Sequence, residues 1–225
     1  MWHEYPDAPS CIEALAGHIV SALRRDIAAG RQAGLAVSGG RSPIALFDAL
    51  SQAELDWEFV TVTLVDERYL PPTHADSNER LVRKHLLRNR AAAAGFLGLA
   101  HPPEGMQANL QRANRQKHRI TLAVLGMGED GHTASLFPGA PQLGRALDGA
   151  RGDRYVHVSP PKAPYERISM SLNALMRAGG LALYISGPAK RRVYETAAAQ
   201  AATPALPVSY LIAQQEVPLD VYWHP

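Results

Sequence analysis

Short apolar segments that end in glycine-rich or charged turns alternate along the chain with segments of helical periodicity, and this alternation restricts the fold more than any other feature. The first clear example is Leu35-Ala-Val-Ser38, which enters Gly39-Gly40. Pro43 is then placed at the start of a helix that is predicted over Ile44 to Leu50. Strands that alternate with helices are typical of an α/β fold, in which a mostly parallel sheet is covered by helices on both faces.

The same alternation predicts further elements up to the end of the chain. Further strands are predicted at Val60 to Val65, near Phe96 to Leu99, and at Thr121 to Leu125, Tyr155 to Ser159, Leu181 to Ile185, Val208 to Ile212 and Leu219 to Trp223. Further helices are predicted from a capping box at Ser10-Cys-Ile-Glu13 to about Gly30, after Asp76 or Ser77, over 107–118, over Ile168 to Met176, and over Val193 to Ala199. Because no linker or internal repeat interrupts them, we expect a single α/β domain over residues 1–225.

Composition and charge exclude several classes of protein. A chain of 225 residues with 46% hydrophobic residues is long and apolar enough to bury one full core. Its formal net charge of +2 provides no global field toward nucleic acid or a membrane surface, so any anion site must be local. The single cysteine, Cys11, excludes an internal disulfide framework and a cysteine-rich zinc site. Because no apolar run approaches the roughly 18 residues needed to span a bilayer, we expect a cytoplasmic protein.

The most informative stretch is Leu122 to Gly139, in which a predicted strand ends abruptly at Gly126 and is followed by polar residues. A glycine turn lets backbone amides approach a ligand closely, and Asp130 and His132 stand at its exit. Near neutral pH an imidazole is largely in the form that can remove a proton from water. For a histidine taken alone, a helix cap or a hydrogen-bonded core position is the alternative. Metal binding is a further alternative, but no H-E-x-x-H motif and no third ligand at suitable spacing is present.

Three other strand ends carry polar groups. Ser38-Gly-Gly-Arg-Ser-Pro43 offers amides, hydroxyls and a helix N-terminus to a phosphate, although Gly-Gly before a helix is more often only a tight turn. It fits neither a Walker A nor a dinucleotide-binding pattern, which disfavours a nucleotide. Asp66-Glu67-Arg68 places a cation beside two carboxylates, or forms a salt-bridged loop, and Ser186-Gly-Pro-Ala-Lys190 ends a further strand. In a parallel sheet all four turns emerge at one edge, so they can converge on one crevice. A basic corner at Pro160-Pro-Lys162 and Arg167 is a weaker candidate, because solvated charges are common.

Taken together, these turns resemble those of the 6-phosphogluconolactonase family, whose superfamily also contains glucosamine-6-phosphate deaminase. The segments that carry the resemblance, in family order, are Ser38-Gly-Gly-Arg-Ser-Pro43, Val65-Asp-Glu-Arg68 with Ser77-Asn78, Gly126 to Gly139, Ser159-Pro-Pro-Lys162 with Arg167-Ile-Ser169, and Gly187-x-x-Lys190. The long central motif is highly specific, whereas each of the others is weak by itself. The resemblance implies a modified Rossmann-like fold. It also implies hydrolysis of 6-phospho-D-glucono-1,5-lactone in the pentose phosphate pathway.

The chemistry of lactone hydrolysis leads to a hypothesis for the roles of individual residues. His132 is expected to be the general base that activates water, with Asp130 beside it and Arg68 at the oxyanion. The residues expected to bind the substrate and its phosphate are Ser38, Gly39, Gly40, Arg41, Ser42, Asp66, Asn78, Gly128, Lys162, Arg167 and Lys190. The implied partner is a small phosphorylated lactone, with no metal or organic cofactor, no nucleic acid and no membrane. The expected state is a monomer or a weak homodimer.

Two other functions stay open at this stage. One is the deamination and isomerisation of an amino sugar phosphate. Sequences that resemble the deaminase branch, however, have a glutamate five residues after the histidine. This chain has Phe137 there, before Pro138, and Arg68 after Asp66-Glu67 also favours the lactonase branch. The other is a sugar-phosphate-sensing module, against which the absence of a helix-turn-helix segment and of a basic stripe argues.

Overall fold

Seven parallel strands form the main sheet of the computed structural model, which describes residues 1–225. These strands are β1 (Trp2–Glu4), β2 (Ala33–Val37), β3 (Val60–Leu64), β5 (Gly95–Leu97), β6 (Leu122–Leu125), β9 (Leu181–Ser186) and β10 (Leu219–His224). A smaller antiparallel sheet contains β4 (Asp66–Arg68), β7 (Tyr155–Val158) and β8 (Arg167–Met170). The strand order is β1-β10-β9-β6-β2-β3-β5 in the main sheet and β4-β8-β7 in the smaller one. The prediction of a mostly parallel sheet is therefore confirmed.

The strand order of the main sheet reverses between β2 and β6. From β2 the chain builds the sheet outward through β3 and β5, whereas from β6 it builds the other way through β9 and β10. The two strands are tied at their carboxyl ends, because Ser38 donates its backbone N–H and its hydroxyl to the carbonyl oxygen of Val124 at 3.0 and 3.1 Å. In open α/β sheets ligands bind beside the carboxyl ends of strands where the order reverses. The topology therefore points to this end of β2 and β6 as the site.

Eight helices accompany the sheets, and they cover both faces of the main one. They are α1 (Ala8–Ala28), α2 (Ile44–Gln52), α3 (Asn78–His85), α4 (Met106–Arg115), α5 (Leu143–Leu147), α6 (Leu172–Met176), α7 (Gly187–Ala198) and α8 (Val208–Ala213). Tyr222 and Trp223 are neighbours in β10, so their side chains point to opposite faces. The Tyr222 hydroxyl forms a hydrogen bond of 2.8 Å with His18 of α1, while the Trp223 indole donates to the Gly187 carbonyl of α7 at 3.1 Å. Helices therefore lie on both faces, as predicted.

A cluster of 53 buried apolar residues forms the core. All five residues of β2 are buried, as the continuous apolar runs of a strand covered on both faces require. Each fully buried leucine or valine in such a cluster contributes about 1.5–3 kcal/mol relative to exposure. Cys11 belongs to this core, and burial raises the pKa of its thiol to about 11. No helix combines the length and the apolar character needed to cross a membrane.

The start of the first helix differs from the prediction. Helix α1 begins at Ala8, and its N-cap is Asp7, whose carboxylate accepts a hydrogen bond of 2.9 Å from the backbone N–H of Ser10. The predicted cap, Ser10, therefore lies in the first turn of the helix. For α3 the cap is Ser77, one of the two predicted residues, which accepts from the backbone N–H of Arg80.

The smaller sheet was not predicted. Asp66-Glu67-Arg68, expected as a turn, is a strand that pairs with β8, with Asp66 opposite Ser169 and Arg68 opposite Arg167. Ile168, expected in a helix, lies in β8, and only Leu172–Met176 is helical. The pairing partners are about a hundred residues apart, so no local pattern reports them. Strand β7 also belongs to this sheet rather than to the parallel one.

Three differences occur near the termini of the chain. Residues Val208 to Ile212, expected as a strand, lie in α8, because a short apolar run does not by itself distinguish a strand from a helix. Helix α7 begins at Gly187 rather than at Val193, with Pro188 in its first turn, where proline is well tolerated. Strand β1, which was not predicted, pairs with β10 at the edge of the main sheet.

Candidate active site

A cavity of about 530 Å³ opens at the carboxyl ends of β2 and β6, where the strand order reverses. The predicted convergence of four polar turns on one crevice is confirmed, although Asp66 and Arg68 reach it from the smaller sheet. The predicted site residues that line it are Ser38, Gly39, Gly40, Ser42, Asp66, Arg68, Asn78, Gly128, His132, Arg167 and Lys190. Arg41, Asp130 and Lys162 do not line it.

The turn after β6 is shaped by its glycines. Gly128 donates its N–H to the carbonyl oxygen of His132 at 2.9 Å, and Gly131 turns the chain with a φ of +77°. A Cβ atom on Gly128 would stand 2.3 Å from Cε1 and Nδ1 of His132 and 2.5 Å from Oδ1 of Asp130. Such distances are not tolerated, so only glycine lets the imidazole fold back over this turn. Thr133 closes the turn by donating its hydroxyl to the carbonyl oxygen of Gly126 at 2.9 Å.

His132 forms a side-chain pair with Asp130. Nδ1 of His132 lies 2.5 Å from Oδ1 of Asp130, and the side chain of His132 is 30% exposed. Because a carboxylate can only accept, the proton of the neutral imidazole lies on Nδ1, and Nε2 of that form has a free lone pair. The ring packs against Phe137, with 4.3 Å between the ring centroids. The closeness of Asp130 and His132 in the sequence does not establish a contact between them, but the structure shows that their side chains are in contact.

The turn after β2 presents free backbone donors. None of the four N–H groups from Gly39 to Ser42 donates a hydrogen bond within the protein, and α2 begins at Ile44, after its N-cap Pro43. Unpaired N–H groups before a helix make a favourable place for an anion. Gly40 has a φ of +96°, which favours glycine. The Ser38 hydroxyl, by contrast, is occupied: it donates to Val124 and accepts from the N–H of Gly126 at 3.3 Å.

Asn78 joins this turn to the smaller sheet. Its side-chain amide donates to the carbonyl oxygen of Asp66 at 2.9 Å. A Cβ atom on Gly39 would stand 1.8 Å from Oδ1 of Asn78, so the turn approaches this amide as closely as only glycine allows. The carboxylate of Asp66 accepts from the hydroxyl of Ser135, which fixes its orientation at the cavity wall. Asn78 thus connects the turn after β2 with Asp66 of strand β4.

Two arginines stand side by side on the opposite wall. Arg68 of β4 and Arg167 of β8 are directly paired across the strands, so their side chains share one face. Arg167 is only 5% exposed, its Nη2 donates to the carbonyl oxygen of Pro164 at 3.0 Å, and its buried Nε has no partner. Burial lowers the pKa of Arg167 and the neighbouring Arg68 acts in the same direction, whereas Asp66 opposes them. Like charges opposite each other are unfavourable, and a bound anion would relieve both this repulsion and the unpaired Nε.

Glu67 holds this wall in place from behind. Its buried carboxylate accepts four hydrogen bonds of 2.7–3.0 Å, from the hydroxyl of Ser77 and from the backbone N–H groups of Arg68, Asn78 and Glu79. Burial raises the pKa of Glu67 to about 7, and the three N–H donors oppose that rise. The start of α3 is thereby fixed to β4. The role of Glu67 was missed, because nothing in the local sequence distinguishes a buried acceptor from a solvated charge.

The remaining candidate cations are divided between the inside and the outside of the cavity. Lys190 lies in the first turn of α7 and lines the cavity, whereas Arg41 and Lys162 are exposed and do not. Lining residues that were not predicted as site residues include Asp76, Ala134, Phe137, Tyr165 and Tyr184. No group of three or more histidine, cysteine, aspartate or glutamate side chains is arranged to hold a metal ion.

Comparisons with known proteins agree on one family. Residues 6–223 match the family model described as glucosamine-6-phosphate isomerases/6-phosphogluconolactonase. A 6-phosphogluconolactonase from Neisseria meningitidis is 42% identical over 232 aligned residues, covering 99% of this chain and 98% of the relative. A 6-phosphogluconolactonase from Pseudomonas putida is 40% identical, covering 99% and 92%. The crystal structure of a 6-phosphogluconolactonase from Shewanella baltica superposes with a TM-score of 0.94 at 35% identity, covering 100% of this chain and 97% of that one. The chain therefore belongs to the family of glucosamine-6-phosphate isomerases and 6-phosphogluconolactonases.

Proposed function

We propose that this chain hydrolyses 6-phospho-D-glucono-1,5-lactone to 6-phospho-D-gluconate, the lactone-opening step in the oxidative branch of the pentose phosphate pathway. The relatives that match nearly the whole chain carry the name of this activity. The observation that carries the proposal is the hydrogen bond between His132 and Asp130 at a cavity whose other walls present free N–H groups and cations. A cytoplasmic location, one domain, and a monomeric or weakly dimeric state are parts of the same proposal.

His132 acts as the general base in this proposal. Nε2 removes a proton from a water molecule while the water oxygen attacks C1 of the lactone, and the carbonyl electrons move onto the carbonyl oxygen. When the tetrahedral intermediate collapses, the bond from C1 to the ring oxygen breaks, and the imidazolium returns the proton to the departing oxygen. General-base catalysis of this kind contributes about 10²- to 10⁴-fold in rate. Asp130 keeps the proton on Nδ1 and stabilises the imidazolium that forms.

The cations and the free N–H groups act on the two anionic parts of the substrate. We assign the developing oxyanion to Arg68 and the phosphate to Arg167, Lys190 and the N–H groups of Gly39, Gly40 and Ser42. Charge-assisted hydrogen bonds from such donors are roughly twice as strong as neutral ones. Binding energy from the phosphate is then used to hold C1 beside His132.

The residue beside His132 argues against the deaminase alternative. Sequences that resemble the deaminase branch have a glutamate five residues after this histidine. This chain has Phe137 at that position, and its aromatic ring packs on the imidazole. An apolar ring supplies no carboxylate for ring-opening chemistry. No specific observation favours the sensing module as a second candidate.

Two assays of the purified chain test the proposal. The lactone is generated with glucose-6-phosphate dehydrogenase, and its disappearance is followed with and without the protein, since the lactone also opens spontaneously. Glucosamine 6-phosphate is supplied in parallel and ammonia release is measured. Lactone loss well above the spontaneous rate, without ammonia, is the expected result. Ammonia release, or lactone loss at the spontaneous rate, would refute the proposal.

A further inference from the structure

Tyr165 adopts a backbone conformation that side chains of its kind rarely adopt. Its φ is +72°, and only two other non-glycine residues, Asn89 and Ala134, have a positive φ. Both Tyr165 and Ala134 line the cavity. Strained backbone conformations persist only where surrounding structure holds them, and they concentrate at ligand-binding sites. The positive φ at the cavity directs attention to what the Tyr165 side chain contacts.

The phenol of Tyr165 joins two loops that are distant in sequence. Its hydroxyl donates a hydrogen bond of 3.0 Å to Oδ2 of Asp76, which is 89 residues away. Asp76 belongs to the loop between β4 and α3, and Tyr165 to the loop between β7 and β8. His74 supports the contact, because its Nδ1 accepts the backbone N–H of Asp76 at 3.1 Å and its ring packs edge-on to Tyr165. The Asp76 carboxylate raises the pKa of the phenol, which therefore remains the donor.

Each of these loops also holds one guanidinium of the arginine pair. Nη1 of Arg68 donates to the backbone carbonyl oxygen of Asp76 at 2.5 Å. Nη2 of Arg167 donates at 3.0 Å to the carbonyl oxygen of Pro164, the residue before Tyr165. The bond between the Tyr165 and Asp76 side chains thus fixes the relative positions of the two carbonyls that orient Arg68 and Arg167. Because like charges directly opposite each other are unfavourable, the bond also opposes a separation of the two guanidinium groups.

We propose that the hydrogen bond between Tyr165 and Asp76 positions Arg68 and Arg167 for a single phosphorylated anion in the cavity. Tyr165 and Asp76 are positioning residues, and we place neither in contact with the reacting atoms. The identity of the anion as a sugar phosphate rests on the proposed function, whereas the positioning itself concerns any phosphate group. Loss of the bond should weaken phosphate binding through Arg167 and lower kcat through Arg68, which the proposed function places at the oxyanion.

Four variants isolate the hydrogen bond. Tyr165→Phe removes the donor, Asp76→Ala removes the acceptor, and the double variant Tyr165→Phe/Asp76→Ala removes both. Asp76→Asn keeps an acceptor oxygen without the charge. The matched control is Tyr69→Phe, which deletes a phenol hydroxyl in the loop that contains Asp76. That hydroxyl donates a hydrogen bond of 3.1 Å to the carbonyl oxygen of Pro102, outside the cavity. For each variant, KM and kcat for the lactone are measured, together with the Kd of inorganic phosphate by calorimetry and the Tm.

The expected result is a loss of anion affinity and of turnover without a comparable loss of stability. Tyr165→Phe and Asp76→Ala each raise KM and the phosphate Kd about three- to tenfold, the range of one net hydrogen bond. The double variant is no worse than either single one, and Asp76→Asn recovers most of what Asp76→Ala loses. In the same variants kcat falls as well, because Arg68 is displaced from the oxyanion. Tyr69→Phe leaves KM and Kd at the wild-type values. Because the bond lies near the surface, the Tm shifts by no more than a few degrees.

Three results would overturn the proposal. The first is an unchanged phosphate Kd in Tyr165→Phe, and the second is an additive loss of phosphate affinity in the double variant. The third is a phosphate affinity of Asp76→Asn as low as that of Asp76→Ala, because that result would assign the effect to the carboxylate charge. The phosphate titration separates this proposal from the proposed function. If the wild-type chain shows no lactonase activity but the Kd values follow the expected pattern, the positioning stands and the function falls. If lactonase activity is present but the Kd values do not follow the expected pattern, the proposed function stands and the positioning is refuted.

Discussion

The two long walls of the cavity are built by different means. The glycine-turn wall, residues 38–42 and 126–132, presents backbone N–H groups and one imidazole, and its geometry comes from turns that only glycine can make. The arginine wall, strands β4 and β8, presents charged side chains that a buried hydrogen-bond network holds in place. One added methyl group on the glycine-turn wall should therefore cause a large loss of activity. A substitution on the arginine wall should instead cause smaller losses, either of folding stability or of substrate affinity. The following substitutions test this contrast in order of expected effect.

His132→Ala should produce the largest loss. Removal of the imidazole eliminates the proposed general base, so kcat for lactone hydrolysis should fall about 10²- to 10⁴-fold. The cations and N–H groups that hold the phosphate are untouched. The Kd of 6-phosphogluconate, measured by calorimetry, should therefore stay within about threefold of the wild-type value.

A matched control for His132→Ala is His101→Ala, which removes an exposed imidazole paired only with Glu104 outside the cavity. Its kcat should equal that of the wild type. Near-normal turnover in His132→Ala would remove the general-base role. A loss of turnover accompanied by an equal loss of product affinity would show that the variant damages binding rather than chemistry.

Gly128→Ala should be nearly as harmful, although it adds only one methyl group. The new Cβ would lie 2.3 Å from the imidazole, so His132 must move, and a displacement of about 1 Å in a reacting group can cost about 10²-fold in rate. The control is Gly144→Ala, because a Cβ at Gly144 meets nothing within 4 Å. Steady-state kinetics should show a fall in kcat for Gly128→Ala only. Equal activity of the two variants would contradict the tight packing of His132 on this turn.

The contrast between the walls also decides which part of the site was predictable. The glycine-turn wall follows from local signals, since an apolar run, two or three glycines and a helix start report the strand, the turn and the helix together. The arginine wall depends on the pairing of Asp66–Arg68 with Arg167–Met170, and non-local pairing leaves no local signature. For the same reason the contact of Tyr165 with Asp76 could not be predicted, and neither could the buried role of Glu67.

The fold was predictable to the extent that local periodicity decided it. All seven strands of the main sheet except β1 were predicted, because their apolar runs are bounded by turns. The prediction of a strand at Val208 to Ile212 was wrong, because so short and mostly apolar a run fits either element, and Pro207, the N-cap of α8, precedes a helix there. Strand β1 has three residues at the sheet edge, too few for a period to be recognised.

Glu67→Gln tests the arginine wall through stability. One of the two carboxylate oxygens becomes an NH2 group that faces donors, so at least one buried hydrogen bond is lost and a donor is left unpaired. The free energy of unfolding, measured with urea, should fall by about 1–3 kcal/mol. Glu129→Gln, at an exposed residue with no hydrogen-bond partner, should change it by no more than about 0.5 kcal/mol. Equal stability of the two variants would show that the Glu67 network does not support this wall.

Lys190→Ala and Lys162→Ala should give the smallest effects, and they differ in a way that only the structure predicts. Both lysines follow strand ends in the sequence, but Lys190 lines the cavity from the first turn of α7, and Lys162 is exposed outside it. Loss of one charge-assisted contact to the phosphate should raise KM for the lactone about tenfold in Lys190→Ala, with little change in kcat. Lys162→Ala should leave both parameters unchanged, since surface charges contribute little where nothing is bound. A rise in KM for Lys162→Ala at low salt that disappears at high salt would mean that this lysine attracts the substrate from a distance, and would extend the cationic surface beyond the cavity.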